Sequence, residues 1–535
     1  LGAVELDGPA RGRAFLGRPL RVGGRKDILF PLYGDAERIL PDELAELEPA
    51  LLEHAPELFG QRAAPRTRLV HVPRSPLERF VAEVERLPLE SAALGPLPLV
   101  RERVEHLGEL LRGTADEEWL RWFIEGQRVR PVVGATDRHF DVLSELCRDL
   151  ARPPASGSPQ GPWVLLTSAF LNPDNLREQD GLTVALAEAP PSTRILLVHG
   201  HASDALPLEQ QLELKAYQQR LRELNADLAA RCILVAAKRR SHEKILLTSN
   251  GDWVLGSWNP ASSRPGSVVF ECGLSGRDQA FALELLGRLE DNLEGEAATQ
   301  AVASLREALE AARTEDPTRR ESARRHLERL KRAVGLLSRA LAPESPPARP
   351  GWAPALRAVR GALHPFLVRT RLELADAHQT RDAFVAQAQT ARRDLLLASD
   401  RLADSALDGA ILRDLRGQGR GKRLVRVVWG REWAGRRPTD KQTREQLRRA
   451  RAAVDEARNI LGTQLLTSPG PMENHAKLLL VDGCRGLITS ENLLSYGGEK
   501  GRYESRELGV AFWCPPIVRH LLGRFLWQWP DSLQP

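Results

Sequence analysis

Short apolar runs bounded by polar breaks alternate with longer amphipathic stretches along most of this 535-residue chain. Trp163-Val-Leu-Leu-Thr, Arg194-Ile-Leu-Leu-Val-His and Cys232-Ile-Leu-Val-Ala are unbroken runs of strand length, and they read as buried strands. Between the last two, the stretch from about Leu208 to Ala229 has the periodicity of a long amphipathic helix. Further strands are expected around Ile245-Leu-Leu, at Trp253-Val-Leu, and from Val268 to Leu274. The pattern then recurs. Arg393-Asp-Leu-Leu-Leu-Ala parallels the run at Trp163, Arg423-Leu-Val-Arg-Val-Val-Trp the run at Arg194, and a helix from about Asp440 to Ile460 the helix before Cys232. A common offset of roughly 230 residues marks a duplicated lobe. Strands alternating with helices predict an α/β protein of two pseudo-symmetric lobes, each a mixed sheet flanked by helices.

Four regions follow. Residues 1–155 form an accessory region read as mostly helical, with Trp119 and Trp122 on one helix face as core packing. A linker, Pro153-Pro-Ala-Ser-Gly-Ser-Pro-Gln-Gly-Pro, leads into lobe 1 at 156–275. A helical insert with a Pro-rich break at 342–350 fills 276–387, and lobe 2 occupies 388–535. A hydrophobic content of 42% suits a globular chain, and no uninterrupted apolar run is long enough to span a bilayer. The N-terminus lacks the basic start and apolar core of a signal peptide. The chain begins with Leu and holds one Met, Met472, so a processed product or a piece of a longer polypeptide is expected. The five cysteines are scattered without CxxC or Cys/His ligand spacing, which predicts buried thiols in a reducing cytoplasm, no zinc site and no disulfide framework.

The candidate chemistry lies in the repeat. His242-x-Lys244 is followed by Gly256-Ser257-x-Asn259, and His475-x-Lys477 by Thr489-Ser490-x-Asn492. Each copy is closed by a carboxylate in a similar setting, Glu271-Cys-Gly-Leu and Glu507-Leu-Gly-Val. With 12 His and 9 Lys, about 0.2 HxK pairs are expected by chance. Two occur, with Ser and Asn at matched offsets, which outweighs a reading as core histidines and snorkelling lysines. Two histidines facing one phosphorus can divide the work. One attacks to form a phosphohistidine; the other protonates the leaving oxygen and later activates water. Lys244 and Lys477 would neutralise the non-bridging oxygens, and Asn259 and Asn492 would add donors as charge develops. Ser257 and Ser490 are candidates to bond phosphate or orient the Asn. Glu271 and Glu507 are candidates to fix the histidine tautomers. With two lysines supplying positive charge, no metal or cofactor is needed.

The arrangement resembles the phospholipase D superfamily, whose signature is HxKxxxxDxxxxxxGSxN with a downstream Glu. The resemblance covers both lobes. It implies a two-lobed α/β fold with the site at the pseudo-twofold interface, metal-independent action and a phosphohistidine intermediate. It implies His242 as nucleophile, His475 as general acid and Asp482 as the motif aspartate. The first copy departs by carrying Ser249 where the Asp is usual, and the second by carrying Thr489 where Gly is usual. Members resembling tyrosyl-DNA phosphodiesterases also lack the Asp.

Charge bears on the substrate. The net charge is +5, yet Arg413 to Arg451 holds fourteen Lys/Arg against four Asp/Glu, and Lys238-Arg-Arg240 directly precedes His242. A basic approach to a phosphate site suits a nucleic acid backbone. Trp253 and Trp258 are candidate stacking residues or core, and His199 and His201 are read chiefly as ordinary loop histidines. The expected function is therefore a metal-independent nuclease or nucleic-acid phosphodiesterase, cast as an effector of a bacterial defence or repair system. Its helical accessory regions are available to protein partners. The alternatives are a phospholipase acting on phosphatidyl lipids and a catalytically impaired protein that binds nucleic acid or a partner.

Overall fold

The structure, a computed structural model, describes residues 4–5, 14–16, 20–21, 28–34, 67–73, 76–87, 97–151, 161–200, 207–311, 317–341, 349–376, 379–380, 383–384, 387–388, 391, 393–402, 423–430, 441–468, 470–494 and 506–534. The chain divides into two compact units, Leu1–Gly126 with Asp316–Arg371 and Gln127–Glu315 with Leu372–Pro535.

The first unit opens with a sheet rather than with helices. Strands β1 (Val4–Glu5), β2 (Ala14–Leu16), β3 (Leu20–Arg21) and β4 (Ile28–Gly34) lie in the order β1-β2-β4-β3, and β5 (Thr67–Pro73) runs parallel to β4. The expectation of a mostly helical region did not foresee this sheet, whose longest apolar run, β4, is disguised by Pro31 within it. Helices Pro76–Arg86, Leu97–Gly113 and Asp116–Glu125 follow. Trp119 and Trp122 are buried as expected, and Phe80 and Phe366 each meet the Trp119 ring edge-on at 5.5 Å.

In the second unit, lobe 1 comprises β6 (Gln127–Gly134), β7 (Trp163–Ser168), β8 (Arg194–His199), β9 (Cys232–Ala236), β10 (Ile245–Thr248), β11 (Asp252–Gly256) and β12 (Glu271–Arg277). They lie in the order β6-β12-β11-β10-β7-β8-β9, parallel across β7-β8-β9 and antiparallel elsewhere. The lobe thus begins near Gln127, not 156. Pro131 and the alternating Arg128 and Arg130 disguise β6, which pairs with the Glu271 strand. The helix expected over 208–229 is two, Pro207–Leu224 and Ala226–Ala230, because the Asn225 side chain caps the second by accepting from Leu228 N at 2.9 Å.

The stretch after lobe 1 is shared out. Helices Gln279–Glu290 and Glu296–Ala311 stay with the lobes, whereas Pro317–Ala340, Arg349–Leu367 and the short strand β13 (Arg369–Thr370) belong to the first unit. Lobe 2 holds β14 (Leu372–Asp376), β15 (Asp394–Ser399), β16 (Leu424–Trp429), β17 (Leu465–Thr467), β18 (Leu478–Val481), β19 (Arg485–Thr489) and β20 (Leu508–Trp513). Their order, β14-β20-β19-β18-β15-β16-β17, matches lobe 1 position for position, with the same parallel and antiparallel neighbours. This is the two-lobed α/β architecture that the resemblance implies.

One apolar core joins the lobes. It contains Leu247, Trp253, Leu255 and Leu274 from lobe 1, Leu478, Leu480, Val510 and Phe512 from lobe 2, and Phe281, Leu285 and Phe525 from flanking helices. Burying so many large side chains, at about 1.5–3 kcal/mol each, makes the lobes one body rather than two hinged halves. The five cysteines carry free thiols. Among the described residues no helix is long and apolar enough to cross a membrane.

Candidate active site

Antiparallel pairing gathers each motif at one end of its sheet. His242–Lys244 leads into β10, and Gly256-Ser257-x-Asn259 leaves β11. Ile245 lies opposite Leu255, so the entry to one strand adjoins the exit from the other. Gly256 in turn faces Gly273, two residues after Glu271. Gly256 is required by close approach, since an added Cβ would meet Cys272 O at 2.4 Å. In lobe 2 the same position is Thr489, opposite Gly509. The Thr489 hydroxyl accepts from Glu491 N at 3.0 Å and secures the turn that carries Ser490.

The lobes are stitched at two related places. His242 N donates to Arg506 O at 2.7 Å, and Arg506 N to Arg240 O at 2.8 Å. Likewise His475 N donates to Phe270 O at 2.9 Å, and Phe270 N to Glu473 O at 3.0 Å. The carbonyl that accepts from each histidine belongs to the residue just before the motif glutamate of the opposite lobe. The histidine–glutamate pairs are therefore crossed. His242 Nδ1 lies 3.1 Å from Glu507 Oε1 and 3.0 Å from Ser490 O. His475 Nδ1 lies 2.8 and 2.9 Å from the two oxygens of Glu271. Donating Nδ1–H to a carboxylate selects the tautomer that leaves Nε2 as the basic nitrogen.

The serines serve these carboxylates. Ser257 Oγ donates to Glu271 Oε2 at 2.5 Å and accepts from Cys272 N at 3.0 Å. Ser490 Oγ donates to Glu507 Oε2 at 2.5 Å and accepts from Leu508 N at 2.9 Å. The expectation that they bond phosphate or orient the Asn is replaced by this role, because each hydroxyl proton is already given to a glutamate. Asn259 Oδ1 accepts from Ala169 N at 3.2 Å, which leaves its amide as a donor; Asn492 holds the matching position in lobe 2.

Both lysines are buried and fold back on their own histidines: Lys244 Nζ donates to His242 O at 2.6 Å, and Lys477 Nζ to His475 O at 3.1 Å. Burial, then the Lys477 charge, holds Lys244 well below the usual lysine range, with Glu507, Glu271 and Asp400 opposing. Burial pulls His242 below its ordinary 6.5; Glu507 opposes that, while Lys244 and Lys477 reinforce it. Burial works to raise Glu507, but His242, Lys244 and Ser490 outweigh it and hold the carboxyl below its usual range. Concentrated buried positive charge of this kind is relieved by an anion.

One expected residue is not brought to the site. Asp482 follows β18 at the far end from His475, about 16 Å from Lys477 at 3.3 Å per residue. Its Oδ1 accepts from Arg393 N at 2.8 Å and Asp394 N at 3.1 Å, tying the HxK strand to the start of β15. Ser249 does the same in lobe 1, accepting from Trp163 N at 3.0 Å. Serine can replace the motif aspartate because the position needs only a backbone acceptor.

Three further residues were missed in the sequence. Asp400, just after β15, places Oδ2 3.9 Å from His475 Nε2. Phe170, just after β7, has its ring centroid 6.0 Å from that of His242. The buried Glu243 accepts from Ser241 Oγ at 2.8 Å and pairs with Arg506 Nε of lobe 2 at 3.5 Å. The signal available for the first two was their place at the carboxyl ends of predicted strands, where α/β sheets hold their ligands.

Trp253 and Trp258 are core, packed on Phe281 and Phe140 respectively, and so do not stack bases. His199 is buried 3.8 Å from Glu213, and His201 lies outside the described residues. Lys238 and Arg239 are exposed, held at the backbone by Asn292. Within Arg413–Arg451, residues 413–422 and 431–440 lie outside the described residues. Arg426 is buried on Asp394 and Leu533 O, while Arg444, Arg448, Arg449 and Arg451 are exposed on the helix Lys441–Leu461. Among the described residues no group of three His, Cys, Asp or Glu is arranged to hold a metal ion.

No family model matches the chain, and no curated protein matches it. Among solved structures it is similar to a phosphatidylserine synthase from Haemophilus influenzae Rd KW20, at 10% identity and TM-score 0.43, over 78% of this chain and 91% of that one. It is similar to Nuc, a phospholipase D family member from Salmonella typhimurium, at 15% identity and TM-score 0.21, over 30% and 93%. A polyphosphate kinase from Porphyromonas gingivalis matches at 12% identity and TM-score 0.37, over 95% and 60%. What the site does is read from its own side chains.

Two predictions follow from the geometry. Glu507→Gln is expected to move the titration of His242 to lower pH, because the carboxylate that opposes the burial effect is lost, and to leave the His475 resonance in place. Histidine Cε1 NMR reads this; a change confined to His475, in the same lobe as Glu507, contradicts the crossed pairing. Asp482→Ala is expected to lower unfolding free energy by about 1–2 kcal/mol, from two backbone N–H groups losing their acceptor. Turnover should stay within about threefold, and Asp482→Asn, which keeps an acceptor and tolerates the φ of 52°, should preserve both. Denaturant melts beside activity assays check this.

Proposed function

We propose that this chain is a metal-independent phosphodiesterase that cleaves a nucleic acid backbone through a phosphohistidine on His242. The observation that carries the reading is the crossed pairing. It presents two histidines with Nδ1 committed to glutamates, beside two buried lysines, as one composite site. His242 Nε2 attacks phosphorus in line as the P–O bond to the leaving group breaks, and His475 gives its Nε2 proton to the departing oxygen. Water then attacks the phosphohistidine, His475 takes its proton, and the P–N bond breaks to return neutral His242. Lys244, Lys477 and the amides of Asn259 and Asn492 stabilise the charge on the non-bridging oxygens.

The electrostatics support this division of labour. A His242 held below its ordinary value is a free base at neutral pH. The His475 ring lies between two carboxylates, with Glu271 2.8 Å from Nδ1 and Asp400 3.9 Å from Nε2, whereas His242 has one, Glu507, at Nδ1. A nucleic acid substrate is supported by the exposed Lys238 and Arg239 leading into His242 and by the exposed arginines of Lys441–Leu461. A role in bacterial defence or repair is the context in which we place such a nuclease.

Labelled DNA, labelled RNA and phosphatidylcholine, each incubated with the protein in EDTA, test the reading. Cleavage of nucleic acid that survives EDTA and falls by at least about 10³-fold in His242→Ala and His475→Ala is expected. Cleavage of lipid alone would contradict the substrate, and loss of cleavage in EDTA would contradict the mechanism. The acid limb of the wild-type pH–rate profile should lie below pH 6.5, since His242 must lose its proton to attack and its value is depressed. An acid limb above 6.5 would exclude a depressed His242 as the nucleophile.

A further inference from the structure

Phe170 is 40% exposed, unusual for a large apolar side chain so close to a polar site. Its ring stands at 74° to the His242 ring with centroids 6.0 Å apart. Its backbone is firmly held. Ser168 Oγ donates to Phe170 O at 2.9 Å and accepts from Ala261 N at 3.2 Å, while Ala169 N donates to Asn259 Oδ1 and Asn172 N to Ala261 O. These bonds tie the Phe170 backbone to the loop that carries Asn259, so the ring's point of attachment is fixed before anything binds. Such fixing removes part of the ordering entropy of binding.

The matching position in lobe 2 has a different chemistry. Leu246 pairs with Leu166 in lobe 1 and Leu479 with Leu397 in lobe 2, so Phe170 corresponds to Arg401 and Ala169 to Asp400. The rim of the site is thus aromatic beside His242, and charged beside His475. In an in-line displacement the leaving group departs away from the attacking His242 Nε2. The ester group that stays on phosphorus therefore remains within reach of Phe170.

We infer that Phe170 is the specificity-determining platform on which the base of the retained nucleoside stacks while its phosphorus is bonded to His242. The inference rests on the phosphodiesterase reading above and names the group it selects. Stacking needs one fixed π-face and tolerates any base. An acyl chain would need a continuous apolar surface, whereas the Phe170 ring stands against the His242 imidazole.

Two chromogenic substrates with the same leaving group test it: thymidine p-nitrophenyl phosphate, as 3′ and 5′ isomers, and methyl p-nitrophenyl phosphate. Phe170→Ala is expected to raise KM for at least one thymidine ester about tenfold and to change KM for the methyl ester far less. Phe170→Trp should behave as wild type, and Phe170→Leu, apolar but without a π-face, as Phe170→Ala. Full activity in Phe170→Leu, or equal loss on both substrates, overturns the stacking role while the phosphodiesterase reading stands. A wild-type protein that cleaves the methyl ester but neither thymidine esters nor oligonucleotides overturns this inference and the nucleic acid reading together.

Discussion

Each motif histidine of this protein is oriented by a glutamate of the opposite lobe, and the rest of the candidate site depends on that exchange. The bond from Nδ1 to a carboxylate sets which nitrogen is basic, and the serine behind each glutamate fixes the carboxylate itself. Neither lobe is complete without the other, since His242 needs Glu507 and His475 needs Glu271. The backbone ladder makes the exchange obligatory. The carbonyl next to each glutamate also accepts from the amide of the histidine it serves, so pairing and docking are the same event. The shared apolar core then holds the two sheets at the separation these short bonds demand.

Placing two lysines in the interior carries a desolvation penalty of several kcal/mol per ion. The glutamates offset part of it, yet Lys244 remains well below the usual lysine range. In the proposed reaction a phosphodiester between the lobes would supply the missing negative charge, so that stability given up in the free protein would be recovered as affinity for an anion, with larger gains as charge grows in the transition state. Around the two histidines the pseudo-symmetry is broken at three positions. Glu243 against Ala476, Ala169 against Asp400 and Phe170 against Arg401 give the two histidines unlike surroundings within a common frame.

Most of this frame was legible in the sequence because it rests on fixed offsets. A strand, a tight turn and an antiparallel return place Ser257 and Asn259 at set distances after His242, and the same holds after His475. The crossing was not legible, because Glu271 and His475 are 204 residues apart and no local period links them. Asp482 misled for a related reason: its offset is fixed by the strand, but the strand carries it away from the chemistry. Strand β6 was hidden by Pro131 and its arginines, and β4 by Pro31 within its apolar run. Phe170 and Asp400 belong to no motif, and only their position at strand ends distinguishes them.

The central claim is a single composite site with unlike histidines, and counting covalent adducts tests it most directly. A p-nitrophenyl nucleotide ester needs no proton at its leaving group, so in His475→Ala the first step proceeds while hydrolysis of the intermediate stalls. Mass spectrometry of the protein quenched at neutral pH in EDTA should then find one nucleotidyl group per chain, bonded to His242. Adducts formed equally on His242 and His475 in the wild-type protein, or sustained turnover without any adduct, would contradict the account.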